Sequence, residues 1–330
     1  MTRNPLPLVL ALAGAACAQI YRDPFNYPNG TVVPGWTERR GDWVIANNRL
    51  HLGTPGNGLC FITKDGFNLR NSVCEALVTW EGPIPLIEGG GLTARHNGSN
   101  TEMGMILAMV QDNLAQGSFN ALMLFEQGGS GVVFRFPLIP FIAARVRLLV
   151  AAGSATVQVD TDRNGTWDIS DGTPLDTLLA AGGNGCSSVF KTPNPRSSGI
   201  DDFALFDGVL SSTGVPRPGS TVTLRLQVDG AGLPYQLASA FSNAPGVPVD
   251  SRNIPLVPDA LTLLSLSLPT VFQGYTGVTG ANGAALAQIA FPPVSQLAGV
   301  AFYTVFVTLS PAAPSGIVNI SNDHRIDIVP

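Results

Sequence analysis

Charge is what this chain has least of. Only 12% of its 330 residues are Asp, Glu, Lys or Arg, against about 25% in an ordinary soluble protein. Lysines and arginines nowhere gather into a cluster. Nucleic-acid binding depends on basic faces that release counterions from phosphates, so no nucleic-acid partner is expected. Polybasic adsorption to a membrane surface is disfavoured for the same reason. The chain also lacks a long apolar run. Leu6 to Ala16 is too short to span a bilayer, and Val132 to Val150 is broken by Arg135, Pro137, Pro140, Arg145 and Arg147, so it reads as two core strands and a corner. Amphipathic helical periodicity is nearly absent from Tyr21 to Asp207. Glycine (37) and proline (26) are instead abundant, as in a turn-rich, strand-rich protein.

The first eighteen residues read as a secretion signal. Arg3 supplies the positive start, Leu6 to Ala16 the apolar segment, and Ala16-Cys17-Ala18 a small-residue cleavage site before Gln19. A lipid-attached Cys17 is the alternative, but Gly14-Ala15-Ala16 lacks the leucine of a lipobox. The expectation is soluble export to the exterior or the cell surface, with no transmembrane segment in the mature chain. Loss of Cys17 leaves Cys60, Cys74 and Cys186, enough for one intrachain bridge at most. Cys60 and Cys74 are equidistant from Phe67, as opposed positions of a hairpin would be, and that pair is favoured over a bridge to Cys186. Three unpaired, buried thiols are the remaining option.

Short alternating runs divide the chain into two strand-rich regions. The first, residues 19–207, includes Trp43 to Ile45, Leu59 to Thr63, Val73 to Trp80, Ala144 to Val150 and Thr156 to Val159, separated by Asn-Gly, Gly-Gly or Pro-containing turns. Strands without crossover helices pair antiparallel and bury one face on a second sheet, which predicts an all-β sandwich. Residues 208–220 have a linker composition. A second series in residues 221–330 (Thr221 to Val228, Tyr235 to Phe241, Leu261 to Ser267, Ala285 to Phe291, Ala301 to Leu309 and Ile317 to Ile328) suits a smaller immunoglobulin-like β-sandwich.

The opening Asp23-Pro24-Phe25-Asn26, followed by Gly35-Trp36-Thr37 and Trp43-Val44-Ile45-Ala46-Asn47-Asn48-Arg49-Leu50, resembles the start of concanavalin A-like, laminin-G-like jelly rolls. Gly199-Ile200-Asp201-Asp202-Phe203 resembles their closing strand. The resemblance covers about residues 20 to 207 and implies a fold that hosts lectins, glycan-binding modules, hydrolases, lyases and adhesion domains. It also implies that Asp23 meets Asp202 or Asp201 around a structural calcium, the alternative being that these acids cap strand ends. Leu256-Val257-Pro258-Asp259 and Val271-Phe272-Gln273-Gly274-Tyr275-Thr276-Gly277 resemble a C-terminal module of exported bacterial proteins, from which no residue role follows.

The best local chemical signal runs from Asp160 to Asp171. Asp160, Asp162, Asn164, Asp168 and Asp171 stand at positions one, three, five, nine and twelve, with Gly165 at six for the bend. That pattern lets one loop gather oxygens around a Ca²⁺ ion. Strand precedes it rather than helix, and a polar hairpin tip on Asn164-Gly165 is the simpler alternative. Four carboxylates so close together favour a cation.

Catalytic patterns are missing. No Glu-x-Asp-x-x-Glu strand of the laminarinase type appears, since Glu75, Glu81 and Glu88 are too widely spaced. The lyase set of Arg, Gln, His and Tyr has only His51, His96 and His324 to draw on, and His96 reads as a surface residue. Trp36 and Trp43 read as core. Trp80 and Trp167 are the candidates to stack on a sugar ring. The expectation is an exported, non-catalytic binding protein for polysaccharide or cell-surface glycan. The alternatives are a structural or adhesive surface protein without a small ligand and, less favoured, a glycoside hydrolase or polysaccharide lyase.

Overall fold

A computed structural model describes residues 20–53, 58–80, 88–99, 106–112, 120–125, 132–135, 143–175, 181–190 and 198–330. The segment expected to be a secretion signal and the corner expected after Arg135 lie outside them. The described residues are all-β apart from one short helix and a 3-10 turn at Ser295–Leu297.

The chain opens with β1 (Tyr21–Asp23), β2 (Trp36–Arg40), β3 (Trp43–Ala46), β4 (Arg49–Leu52) and β5 (Gly58–Lys64). Next come β6 (Ser72–Trp80), β7 (Glu88–His96), β8 (Ile106–Asp112), β9 (Asn120–Phe125) and β10 (Val132–Arg135). Then follow β11 (Ala143–Ala151), β12 (Ser154–Asp160), β13 (Ile169–Pro174), β14 (Gly183–Phe190) and β15 (Ser198–Phe206). One sheet runs β13-β12-β11-β6-β15-β4-β3, with β1 also paired to β15, and the other runs β10-β9-β8-β7-β14-β5-β2. Every pairing is antiparallel, and the inner faces enclose one core around Phe25, Trp36, Trp43, Leu50, Ile62, Val146 and Phe203. Trp36 and Trp43 are buried as expected.

After a single intervening residue, Asp207, the chain continues as β16 (Gly208–Thr213), β17 (Thr221–Val228), β18 (Pro234–Ala240), β19 (Val247–Val249) and β20 (Arg252–Ile254). The helix α1 (Ala260–Ser267) precedes β21 (Phe272–Gln273), β22 (Thr276–Val278), β23 (Ala284–Ala290), β24 (Ala301–Leu309), β25 (Ile317–Ile320) and β26 (His324–Asp327). Sheets β16-β17-β23-β21 and β22-β18-β24-β25, with β26 on β24, close over a second core that includes Leu224, Leu226, Leu237, Ile289 and Phe306. The strict in-out alternation of β17 shows why this half is legible as strands.

Three expectations need correction. Residues 208–220 are not a free linker. Gly208–Thr213 forms strand β16, paired in full register with β17, because Val209 and Leu210 bury apolar surface that a linker would leave in water. Gly208 sits where an added Cβ would come within 3.1 Å of the Ser321 backbone, and Val209 beside it packs on Val73 and Leu149 of the first sandwich. Leu261 to Ser267 is not a strand but most of α1. Asp259 caps it, accepting from Thr262 N at 3.0 Å while Asp259 N donates to Thr262 Oγ1 at 3.1 Å, a reciprocal capping box that fixes the first turn.

The proposed Cys60 and Cys74 pairing also fails. Cys60 lies on β5, opposite Ser188, and Cys74 on β6, opposite Leu148 and Leu205. β5 and β6 belong to different sheets and form no hairpin, so symmetry about Phe67 carries no pairing. Cys60, Cys74 and Cys186 are buried, and none of them is in a disulfide. Cys74 Sγ donates to Thr93 O and Asn184 Oδ1, and burial pushes the Cys74 and Cys186 thiols well up.

Candidate functional site

The sandwiches meet over the outer face of the sheet containing β6, β11 and β15. Alternation sends Cys74, Ala76, Val146 and Leu148 into the first core and leaves Val73, Glu75, Arg145, Arg147 and Leu149 on the opposite face. One end of that face is apolar: Val73, Leu149, Ala204 and Phe206 pack against Val209 of β16. The other end is charged and lines a cleft of ≈ 290 Å³ between the two sandwiches.

Its floor is a ladder of ion pairs. Arg22 meets Asp202, with Nε donating to Oδ1 at 2.5 Å. Arg145 donates to Asp202 Oδ2 and to Glu75 Oε1, each at 3.0 Å. Arg147 Nε donates to Glu75 Oε2 at 2.9 Å, and Arg147 Nη2 reaches Asp323 Oδ1 of the second sandwich at 2.5 Å. Burial works against the charge on Arg145 and Arg147, but the carboxylates beside them outweigh it and push both guanidinium pKa values up. A β-bulge between Asp201 and Ala204 builds this arrangement: with Asp202 at a φ of 52°, its carboxylate reaches the arginines while Phe203 enters the core.

The remaining walls come from the loop after β12, which contributes Asp160, Arg163, Gly165 and Trp167, and from Asn243, Pro245, Asn253, Tyr303 and Arg325 of the second sandwich. The Arg147 guanidinium lies over the Trp167 ring, 4.4 Å from its centroid. Asn253 is only 4% exposed. Its Nδ2 donates to Pro245 O at 2.9 Å, but its Oδ1 is buried without a partner.

The loop brings together Asp160, Asp162 and Asp168, whose oxygens lie within 4.8 Å of one another. Much of their bonding capacity is already used. Asp160 accepts from Gly165 N and Asn164 N, Asp162 from Asn164 N and Nδ2, and Asp168 from Thr161 N and Oγ1. Burial raises the Asp160 pKa, against the lowering effect of these backbone donors. Asn164 stays with the group, whereas Asp171 lies on β13 opposite Val157, outside the three-carboxylate cluster. The group fits a hard cation, with the remaining oxygens left to backbone and water.

Asp23 and Asp202 do not meet. Asp23 is buried and accepts from Trp36 Nε1 at 2.9 Å, Tyr21 OH at 2.7 Å and Phe25 N at 2.9 Å, whereas Asp202 is held by Arg22 and Arg145. Asp201 hydrogen-bonds its neighbour Asp202 N. Of the tryptophans, Trp167 lines the cleft, while the side chain of Trp80, at the end of β6, lies outside the described residues. His96 is not a surface residue. It is 3% exposed, packs against Phe61 in a tilted contact with centroids 4.9 Å apart, and is pushed down to about 4 by burial and the nearby Arg39 charge. Sequence reading missed Glu75, Arg145, Arg147, Asn253, Tyr303 and Asp323 as a group. The available signal was Arg145-Val146-Arg147, with charges two apart in an otherwise apolar strand.

No protein-family model matches the chain, and no curated protein matches it. Among solved structures, it is similar to the carbohydrate-binding module CBM66 from Bacillus subtilis, at 14% identity and a TM-score of 0.38 over 52% of this chain and 94% of that one. It is also similar to the exoplasmic/lumenal domain of VIP36 bound to Ca²⁺ and Man3GlcNAc, at 13% identity and a TM-score of 0.39 over 53% and 84%. A glycosyl hydrolase family protein from Mycobacterium fortuitum aligns at 10% identity and a TM-score of 0.40 over 57% and 99%. Likenesses at these scores decide neither ligand nor activity.

Proposed function

We propose that this is an exported, non-catalytic carbohydrate-binding protein that grips a saccharide in the cleft between its two sandwiches. The observation that carries the reading is the lining of the cleft, in which paired arginines and carboxylates, Asn243 and Tyr303 lie beside the Trp167 ring. The surrounding arginines, carboxylates, amide and phenol can give and accept several hydrogen bonds at fixed angles, and Trp167 adds an aromatic surface. The cluster of Asp160, Asp162 and Asp168 is proposed to take Ca²⁺ and stiffen the loop that carries Trp167.

Absence of catalysis is part of the proposal. Glu75 and Asp323 both bind Arg147, and glycoside hydrolysis needs one member of its carboxyl pair free to deliver a proton. A structural or adhesive role is the second reading, favoured by Leu263 and Leu266, which α1 leaves 70% and 52% exposed. The test is incubation of the purified mature protein with immobilised plant, algal and bacterial polysaccharides. Retention on at least one, reduced several-fold in Tyr303→Phe, with no new reducing ends or unsaturated products, supports the proposal. Released sugar overturns the non-catalytic reading, and retention on none favours the structural one.

A further inference from the structure

The outward row of β12 does not end at the cleft. Asp160 lines the charged cavity. The next outward residues on the same strand, Gln158, Thr156 and Ser154, line a second cavity of ≈ 270 Å³ whose opposite wall includes Ser211, Ser212 and His324 of the second sandwich. β12 pairs with β11 without a break in register from Asp160 opposite Arg145 to Ser154 opposite Ala151. β12 therefore runs past both cavities, seven residues in six steps of about 3.3 Å, or roughly 20 Å.

Among the described residues that line it, the second cavity carries no acidic, lysine or arginine side chain. Its polar groups are hydroxyls, one amide and an imidazole. His324 Nε2 lies 2.8 Å from Ser212 Oγ. In the first cavity, Arg22, Arg145 and Arg147 are matched by Glu75, Asp202 and Asp323, Arg325 is paired with Asp327, and the wall adds one charge of each sign, Arg163 and Asp160, so the charges balance. A charged ligand gains little from such a surface, whereas a neutral ligand with many hydroxyls finds donors and acceptors along its whole length.

We infer that the two cavities are successive subsites for one linear, neutral saccharide chain, bound over several residues along β12 rather than by a terminal sugar. This rests on the carbohydrate reading of the charged cleft and adds the length and charge of what binds there. Binding beside the Arg147 and Asp323 bridge, which ties floor to roof, fits a chain lying along the strand on the open side of that bridge.

Calorimetric titration with cello- and laminari-oligosaccharide dimers and hexamers, and with a galacturonate hexamer as the charged control, tests this directly. One neutral hexamer is expected to bind about tenfold tighter than its dimer, a difference of about 1.4 kcal/mol. The galacturonate hexamer should bind more weakly. Thr156→Trp, which fills the second cavity, should bring the hexamer to within about twofold of the dimer and leave the dimer unchanged. Ser154→Trp, at the exposed end of the same row, repeats the test where tolerance of a large side chain is greatest. Dimer and hexamer binding alike, a hexamer preference that survives in both folded variants, or preference for the galacturonate overturns the extended-site inference while leaving the charged cleft as a sugar site. No binding of any neutral oligosaccharide by the wild type removes the carbohydrate reading, and the inference with it.

Discussion

Arg147 of β11 and Asp323, the residue just before β26, meet across the boundary between the sandwiches, with Nη2 at 2.5 Å from Oδ1 and Nη1 donating to the Asp323 carbonyl at 3.0 Å. The Arg147 side chain is 4% exposed. This contact ties the orientation of the second sandwich to a strand of the first. Asp229 makes a second tie by accepting from Arg70 N and Asn71 N, both at 2.9 Å.

Asp323→Ala leaves the buried guanidinium with Glu75 as its one charged partner, beside the main-chain carbonyl of position 323. Removing one partner of a buried pair costs about 3–5 kcal/mol. The surviving Glu75 bond places this variant at the lower end, about 3 kcal/mol. Urea unfolding of the whole chain measures it. A midpoint equal to the wild type's would show that the sandwiches are not coupled through this pair.

Calcium is expected to raise the melting temperature. An ion bound only by the folded state stabilises by mass action, about 2.7 kcal/mol at a hundredfold excess over Kd. Asp162→Ala removes one carboxylate from an exposed position and should abolish the shift. Equal melting temperatures with calcium and with chelator in the wild type would remove Ca²⁺ from the proposal.

Acid sensitivity should come from two histidines desolvated by burial, with Asp207 acting against them. His96 and His324 are both pushed down to about 4, by burial first and then by Arg39 and Arg147 respectively. Their contribution is fully present above about pH 6.5 and is lost as pH falls towards 4, because the unfolded chain binds their protons first. Asp207 runs the other way. Burial pushes it up to about 6 despite bonds from Asn319 Nδ2 and Ile320 N, so its contribution is present below the ordinary carboxylate range and lost as pH rises through 6. Asp207→Asn removes the opposing term and should make stability fall more steeply between pH 6.5 and 4.5. Denaturant midpoints across that window compare the slopes, and parallel curves would reject the assignment.

The three buried thiols should be unreactive until the chain unfolds. Burial disfavours the thiolate, which is the reacting form. Iodoacetamide should leave Cys60, Cys74 and Cys186 unmodified in the native protein and alkylate all three in denaturant without prior reduction. A mass shift short of three additions on these residues would reveal a disulfide.

Local properties were legible because they are decided locally. The alternation of Thr221 to Val228, the Asn164-Gly165 bend and the spacing that gathers Asp160, Asp162 and Asp168 each involve a few consecutive residues, and no distant contact is needed to set them. Asp259 shows the limit. Its cap converts a leucine-rich segment that reads as strand into α1, because a reciprocal pair of hydrogen bonds outweighs the weak preference of a short apolar run.

Membership of a sheet, by contrast, depends on which strands meet in space. Cys60 and Cys74 look like partners along the chain and belong to opposite sheets, and Gly208 to Thr213 looks like a linker until β17 offers it a partner. The cleft is the extreme case. Arg22, Glu75, Arg145, Asp202, Asn253, Tyr303 and Asp323 come from strands and turns spread over three hundred residues. A bulge at Asp202 and the break between β25 and β26 at Asp323 aim two of them. Composition and spacing hold no record of that convergence, because it exists only once two separately cored sandwiches press a charged face between them.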